Sequence, residues 1–157
     1  MQMKSILSSP KNNRCQLLLE TQDGFEFLCW PYFPADIMFD MLAAGFTYLQ
    51  TGAAAVNFDC GTVNYTLIFS KYMVHILDEN TMQINVLNFA SVHPADVCKN
   101  VAECYLSDRE KWTDLSSRKV DGTVLNEETA KELEDNIRKK MDILARNILA
   151  LLPDNPE

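Results

Sequence analysis

The chain carries few side chains that could do acid–base, nucleophilic or metal chemistry near neutral pH, and their spacing limits what they can do. Two histidines are present, His75 and His93, with five cysteines, Cys15, Cys29, Cys60, Cys98 and Cys104. Structural zinc takes four ligands, commonly from short Cys-x-x-Cys pairs. No such pair occurs, and Cys98 and Cys104 fall on different faces of a predicted helix. His75 stands between Val74 and Ile76 in a strand-like run, where a histidine satisfied by hydrogen bonds within the sheet is expected. His93 precedes Pro94 and reads as a helix-entry residue. A nucleophilic thiol needs a base within reach. Cys60 with His75 is one such pairing left open, but no family-like signature surrounds either residue. Asp59 and Asp78 lie at neighbouring turns and are the candidates for an acid–base carboxylate pair, although turn carboxylates ordinarily satisfy local backbone N–H groups. The five glycines stand apart from one another, which excludes a phosphate-cradling loop or dinucleotide fingerprint. The sequence therefore points to no catalytic residue, no metal ligand set and no cofactor.

Charge says more. The 157 residues carry a formal net charge of −8, which argues against a nucleic-acid partner because phosphate contacts need clustered Lys and Arg. Between Arg14 and Lys99 the one Lys or Arg is Lys71, while Glu20, Asp23, Glu26, Asp36, Asp40, Asp59, Asp78, Glu79 and Asp96 share that span. Such an acidic stretch serves solubility or steers a basic partner. The odd number of cysteines at irregular spacings reads as reduced, buried thiols in a cytoplasmic protein. No apolar run reaches the ~20 residues of a membrane span and none at the N-terminus suits a signal peptide, so no membrane partner is expected.

The elements that must position these residues follow from periodicity. In Thr62–Ser70, Val63, Tyr65, Leu67 and Phe69 alternate with Thr62, Asn64, Thr66 and Ser70, giving a strand with one dry and one wet face. Ala54, Val56, Phe58 and Cys60 repeat that pattern upstream. Tyr72–Leu77 is apolar on both faces, as an interior strand would be. Met82–Phe89 adds another strand, with Gln83 and Asn85 facing water. Asp59-Cys60-Gly61 and Asp78-Glu79-Asn80-Thr81 supply turns. Upstream, Arg14–Glu20 and Phe25–Trp30 flank Thr21-Gln22-Asp23-Gly24, a hairpin signal, with Cys15, Leu17 and Leu19 sharing a face with Phe25, Phe27 and Cys29. Residues 1–13 read as a loose lead-in.

Pro34 suits the first turn of a helix, Asp36 complements its dipole, and Ile37, Met38, Met41 and Leu42 give its apolar stripe, with Gly45 as its C-terminal stop. Phe46–Gln50 reads as a short strand or as a continued helix, with the strand preferred. A second helix starts at His93-Pro94 and buries Val97, Cys98, Val101, Ala102 and Tyr105. Residues 107–125 read as a long surface loop. Asn126 caps a long C-terminal helix running to Leu152, with the seam Ala130, Leu133, Ile137, Met141, Leu144, Ile148 and Leu151. Toward its end Ile143, Ala145, Leu149 and Leu152 widen the apolar face. Residues 153–157 form an acidic tail.

The expected fold is a single α+β domain over 1–157: an antiparallel β-meander sheet of about six strands, one face covered by the second and third helices, the first helix at an edge or end. The expected function is that of a non-catalytic acidic binding protein that neutralises or inhibits a basic protein partner. In composition and architecture this profile is similar in kind to bacterial toxin-immunity proteins. The alternative is a small acidic secretion chaperone that holds an extended segment of a secreted protein, followed by a small enzyme using Cys60 or His75. The expected contact residues are Asp36, Asp40, Asp59, Asp78 and Glu79. Trp30, Tyr32 and Phe33, in the corner Trp30-Pro31-Tyr32-Phe33-Pro34, either cap the core or act as aromatic anchors.

Overall fold

The computed structural model describes residues 5–11, 13–20, 26–87, 92–116, 119–120 and 122–152. The expected hairpin turn at 21–24, Phe25, Phe89 and the tail from 153 lie outside them. The elements, in order, are β1 (Leu7–Lys11), β2 (Arg14–Glu20), β3 (Glu26–Cys29), α1 (Pro34–Thr51), β4 (Ala54–Asp59), β5 (Asn64–Ser70), β6 (Met73–Asp78), β7 (Gln83–Leu87), α2 (Pro94–Ser107), α3 (Arg109–Trp112), β8 (Lys119–Val120), β9 (Thr123–Val124) and α4 (Glu127–Leu151).

The fold is α+β, but the single sheet is corrected. The strands form a three-stranded antiparallel sheet, β1-β2-β3, and a four-stranded meander, β4-β5-β6-β7, with β8 and β9 as a separate pair. The helix between β3 and β4 separates the two sheets along the chain. The lead-in is corrected too. Leu7–Lys11 pairs with β2 as an edge strand, through a register shift between Ser8 and Lys11, and Ile6 and Leu7 enter the core. Ser9 there has a positive φ of 54°, and the irregularity hides the strand from periodicity.

The alternation holds where a strand has one dry face. Leu17 pairs with Cys29 and Leu19 with Phe27, so these side chains share a face as expected. In the meander Val56, Phe58, Leu67, Phe69, Val74 and Ile76 are buried, while Asn57 and Asp59 are exposed. β6 is an interior strand, yet Met73 is exposed and His75 half-buried, so only one of its faces is dry.

α1 is the centre of the molecule, not an edge element. It packs against both α2 and α4 and lies against β4. It also runs through Gly45 to Thr51 and ends at Gly52, whose left-handed φ of 88° supplies the C-cap. Gly45 is no stop. A side chain there would meet Cys98 Sγ and Ile148 Cδ1, each at 3.3 Å, so glycine lets three helices approach at one point. Tertiary packing overrode the local signal, and the strand expected at Phe46–Gln50 is helix.

α4 begins at Asn126, whose Oδ1 accepts the Thr129 N–H at 2.8 Å. Its buried stripe is Ala130, Met141, Ala145 and Ile148. The seam is thus corrected: Leu133 and Leu151 are exposed, as is Ile143 at 61%, and Leu144 is half-buried. The helix meets α1 and α2 along a single narrow stripe, so its last turns are not wrapped on several sides. The described residues of the segment 107–125 are not a plain surface loop. Trp112, Thr113 and Leu115 are buried. Arg138 donates from Nη2 to Thr113 Oγ1 at 2.9 Å, and Glu134 Oε2 accepts the Leu115 N–H at 2.8 Å. Among the described residues no helix is long and apolar enough to cross a membrane.

Candidate functional site

The antiparallel order of the meander puts the end of β4, the start of β5 and the end of β6 at one edge of the sheet. Asp59 pairs with Asn64, and Tyr65 with Asp78. Two strand spacings separate β4 from β6, about 10 Å. Asp59, Asp78 and Glu79 therefore lie along one end of the sheet. Each also has a local role. Asp59 Oδ1 accepts the Gly61 N–H at 2.9 Å, Asp78 Oδ1 accepts the Asn80 and Thr81 N–H groups, and Glu79 accepts the Thr66 hydroxyl.

The aromatic corner docks on this same end. Tyr32 donates its N–H to the Asp59 carbonyl at 2.9 Å, and Gly61 packs 3.2 Å from the Tyr32 ring, measured from where its Cβ would stand. Arg14 joins the two sheets. It forms an isolated antiparallel bridge with Tyr32, stacks its guanidinium 4.2 Å from that ring centroid, and donates to the Trp30 and Cys60 carbonyls at 3.3 and 3.4 Å. Its charge is thus occupied within the corner. Trp30 is 50% exposed and Phe33 39% exposed. Phe33 precedes α1 with φ 61° and ψ 72°, a left-handed conformation that is costly for a bulky side chain. Its N–H is held by the Asn13 carbonyl at 3.1 Å.

Asp36 and Asp40 are exposed on α1, whereas Ile37 and Met41 are buried. They stand one turn apart, about 6 Å along the axis. Partial burial, and then the charge of Asp36, raise the Asp40 carboxyl above its ordinary range. The structure thus brings Trp30, Tyr32, Phe33, Asp36 and Asp59 to one corner, with Asp40 one helical turn away and Asp78 and Glu79 two strands across.

The Cys60–His75 pairing does not form. His75 Nε2 lies 3.1 Å from Ser70 Oγ, in mid-sheet opposite Ile68. His93 Nδ1 accepts the Ala95 N–H at 3.0 Å, capping α2 as its position before Pro94 suggested. Among the described residues no group of three or more His, Cys, Asp or Glu could hold a metal ion. A cleft of about 610 Å³ opens between the α3 segment and the first half of α4, lined among others by Glu110, Asp114, Glu134 and Arg138. Its lining includes none of the expected contact residues.

Arg14 and Cys60 were missed as members of the corner. Arg14 reaches the corner from β2, where it donates to the Cys60 carbonyl at 3.4 Å. The one local signal was that Cys60 sits inside the Asp-Cys-Gly turn, and nothing in the spacing joins it to Arg14. Comparison with known proteins finds no matching family model, no matching curated protein and no matching solved structure.

Proposed function

We propose that this chain is a non-catalytic binding protein that engages a basic protein partner through the corner where β3, α1 and the end of β4 meet. The observation that carries this reading is the Tyr32 N–H to Asp59 carbonyl bond, which holds exposed aromatic surface beside carboxylates. Aromatic side chains with two rotatable torsions lose little entropy on contact, so they suit anchors. Exposed carboxylates around them steer a cationic partner and set the salt dependence of encounter. Asp59 and Asp78 already satisfy backbone N–H groups, so their charge reaches solvent from fixed positions. The acidic span supports a partner of opposite charge, and inhibition of that partner, as in the toxin-immunity profile, is the specific form proposed.

A second reading rests on the sheet edge. Among the described residues β7 has a strand neighbour on one side only. Met82 and Ile84 are 70% and 59% exposed there. Such an edge suits an extended segment added as a further strand, the mode of a secretion chaperone.

The two readings separate in one experiment. Affinity capture from the native cell, with the product of the neighbouring reading frame co-expressed, supplies the partner. Amide shift mapping with that partner then locates the contact. Perturbations centred on Trp30, Phe33, Asp36 and Asp59 support the corner. Perturbations confined to Met82–Ile84 contradict it and favour strand addition.

A further inference from the structure

A strand at the edge of a sheet pairs with another chain through its outward N–H and C=O groups unless it is shortened, charged, kinked or covered. Three of the four edges of the two larger sheets are protected in these ways. β1 carries Pro10 and Lys11, and its register shifts between Ser8 and Lys11. β3 is four residues long and begins with Glu26. β4 lies against α1. β7 has none of these devices. Its register with β6 runs unbroken from Leu87 opposite Val74 to Gln83 opposite Asp78. It contains no proline, and positions 80–95 hold no Asp, Glu, Lys or Arg. Among the described residues β6 is its one strand neighbour, and Ile84 on it is 59% exposed.

We propose that β7 is a self-association edge, along which a second copy of this chain lays its own β7 antiparallel and joins the two four-stranded meanders into one sheet. Identical strands paired antiparallel are related by a two-fold axis, so one short strand satisfies the outward backbone groups of both copies and the assembly closes at two. The register that pairs all five residues sets Asn85 opposite Asn85 and position 84 of one copy opposite position 86 of the other. Pairing there takes apolar surface of the exposed Ile84 out of water. Charge selects both the orientation and the occupant. Each copy carries a net −8, and Asp78 and Glu79 stand just before β7. Parallel pairing would bring the two acidic turns within about 5 Å, one strand spacing. Antiparallel pairing sets them at opposite ends of the seam, at least the ~17 Å that five residues span. That is about twice the ~8 Å screening length at physiological salt. A basic partner finds no counter-charge on β7, whereas an identical neutral strand needs none. The aromatic corner docks on Asp59 at the far edge of the meander, three strand spacings or about 14 Å away, so the dimer leaves it open. A five-residue seam is small, which places the dimer in the weak, concentration-dependent class.

The test uses the full chain alone, in reductant, by sedimentation from about 1 μM to about 1 mM, the range that spans weak association. The mean mass should rise with concentration from 17.9 kDa toward twice that value and no further. Added salt should strengthen the dimer, because it screens the repulsion between two chains of net charge −8. That sign is opposite to the one expected of a contact with a basic partner. Ile84→Lys sets two like charges one diagonal apart, about 7–8 Å, and should raise the dissociation constant about 10-fold or more. Circular dichroism checks that the variant is folded. Hydrogen exchange of the wild type, at low and at high concentration, locates the seam independently of that variant: amides at positions 83–87 should slow as the dimer forms. A chain that stays at 17.9 kDa up to about 1 mM overturns the proposal. So does a dimer that leaves exchange at 83–87 unchanged, or that a folded Ile84→Lys does not weaken. Slowing at 83–87 only once the captured partner is added, with the chain alone monomeric, also overturns it and gives this edge to a segment of that partner.

Discussion

Gly45 offers the sharpest test of the packing. Its Cα lies where α1 crosses α2 and α4, and an added Cβ would stand 3.3 Å from both Cys98 Sγ and Ile148 Cδ1, with Cys98 Cβ at 3.5 Å. The Cys98 thiol also points at the Gly45 carbonyl, at 3.8 Å. In Gly45→Ala two effects oppose each other. Helix propensity gains about 1 kcal/mol, while Cys98 and Ile148 must each give way by a few tenths of an ångström. The net should lie within about 1 kcal/mol of wild type. In Gly45→Val the propensity gain shrinks to a few tenths of a kcal/mol. Two further methyl groups enter a closed contact, and overpacking costs about 1–3 kcal/mol. The valine variant should therefore be less stable than wild type by about 1–3 kcal/mol, and less stable than the alanine variant. Urea unfolding read by far-ultraviolet circular dichroism and by fluorescence checks this. Trp112 is 2% exposed, so its emission reports on the helical core. Coincident transitions license the free-energy comparison. A valine variant as stable as wild type would refute the three-helix contact.

Three further predictions follow from single interactions. Met141 is fully buried whereas Leu133 is 40% exposed, so Met141→Ala should cost about 2–5 kcal/mol and Leu133→Ala less than about 0.5 kcal/mol; equal losses in urea would mean that the α4 stripe faces otherwise. Asp142 accepts the Tyr105 hydroxyl at 2.6 Å and Arg109 Nε at 2.9 Å, and although burial works against its charge, these bonds leave its pKa lowered. Its contribution is therefore present above its unfolded pKa of about 3.9 and lost as pH falls through the lower folded value. Asp142→Asn should cost about 1–2 kcal/mol at neutral pH, near the low end for a charged bond because Arg109 keeps contact with water. The variant should also lose less stability than wild type on acidification, as measured by urea midpoints across that range. Asn126→Ala removes the cap of α4 and should cost about 1 kcal/mol, which thermal unfolding would register as a shift of about 2–4 °C.

The strands that could be read from sequence are those with one wet face and one dry face. β5 shows it in Leu67 and Phe69 against Asn64 and Thr66, and the β2–β3 pairing shows it in Leu17 and Cys29. Features set by long-range packing could not be read. Gly45 has the residue type of a helix stop, and only the arrival of Cys98 and Ile148 from distant elements explains a glycine inside the helix. The way the two sheets meet depends on α1 lying against β4 and on the Tyr32 N–H to Asp59 carbonyl bond, neither of which has a local signature. Trp112 and Leu115 are buried inside a charged, turn-rich stretch, where periodicity has too few residues to register. The strand-end positions of Asp59 and Asp78 could be read because acids at such turns are recognisable. The meeting of Arg14 and Cys60 could not, because they reach the corner from 46 residues apart in the chain.

The central claim, that carboxylates around an aromatic corner steer a basic partner, is tested by the association rate across ionic strength. The variant should remove charge but keep the turn hydrogen bonds. Asp59→Asn, Asp78→Asn and Glu79→Gln together do so, because each amide retains an oxygen for the N–H or hydroxyl its carboxylate now accepts. With the captured partner, wild-type association should be fast at low salt and fall steeply as salt rises. The triple variant should associate about 10-fold or more slowly at low salt, with a flatter salt dependence and a little-changed dissociation rate. Equal rates and equal salt slopes for the two proteins would contradict the account.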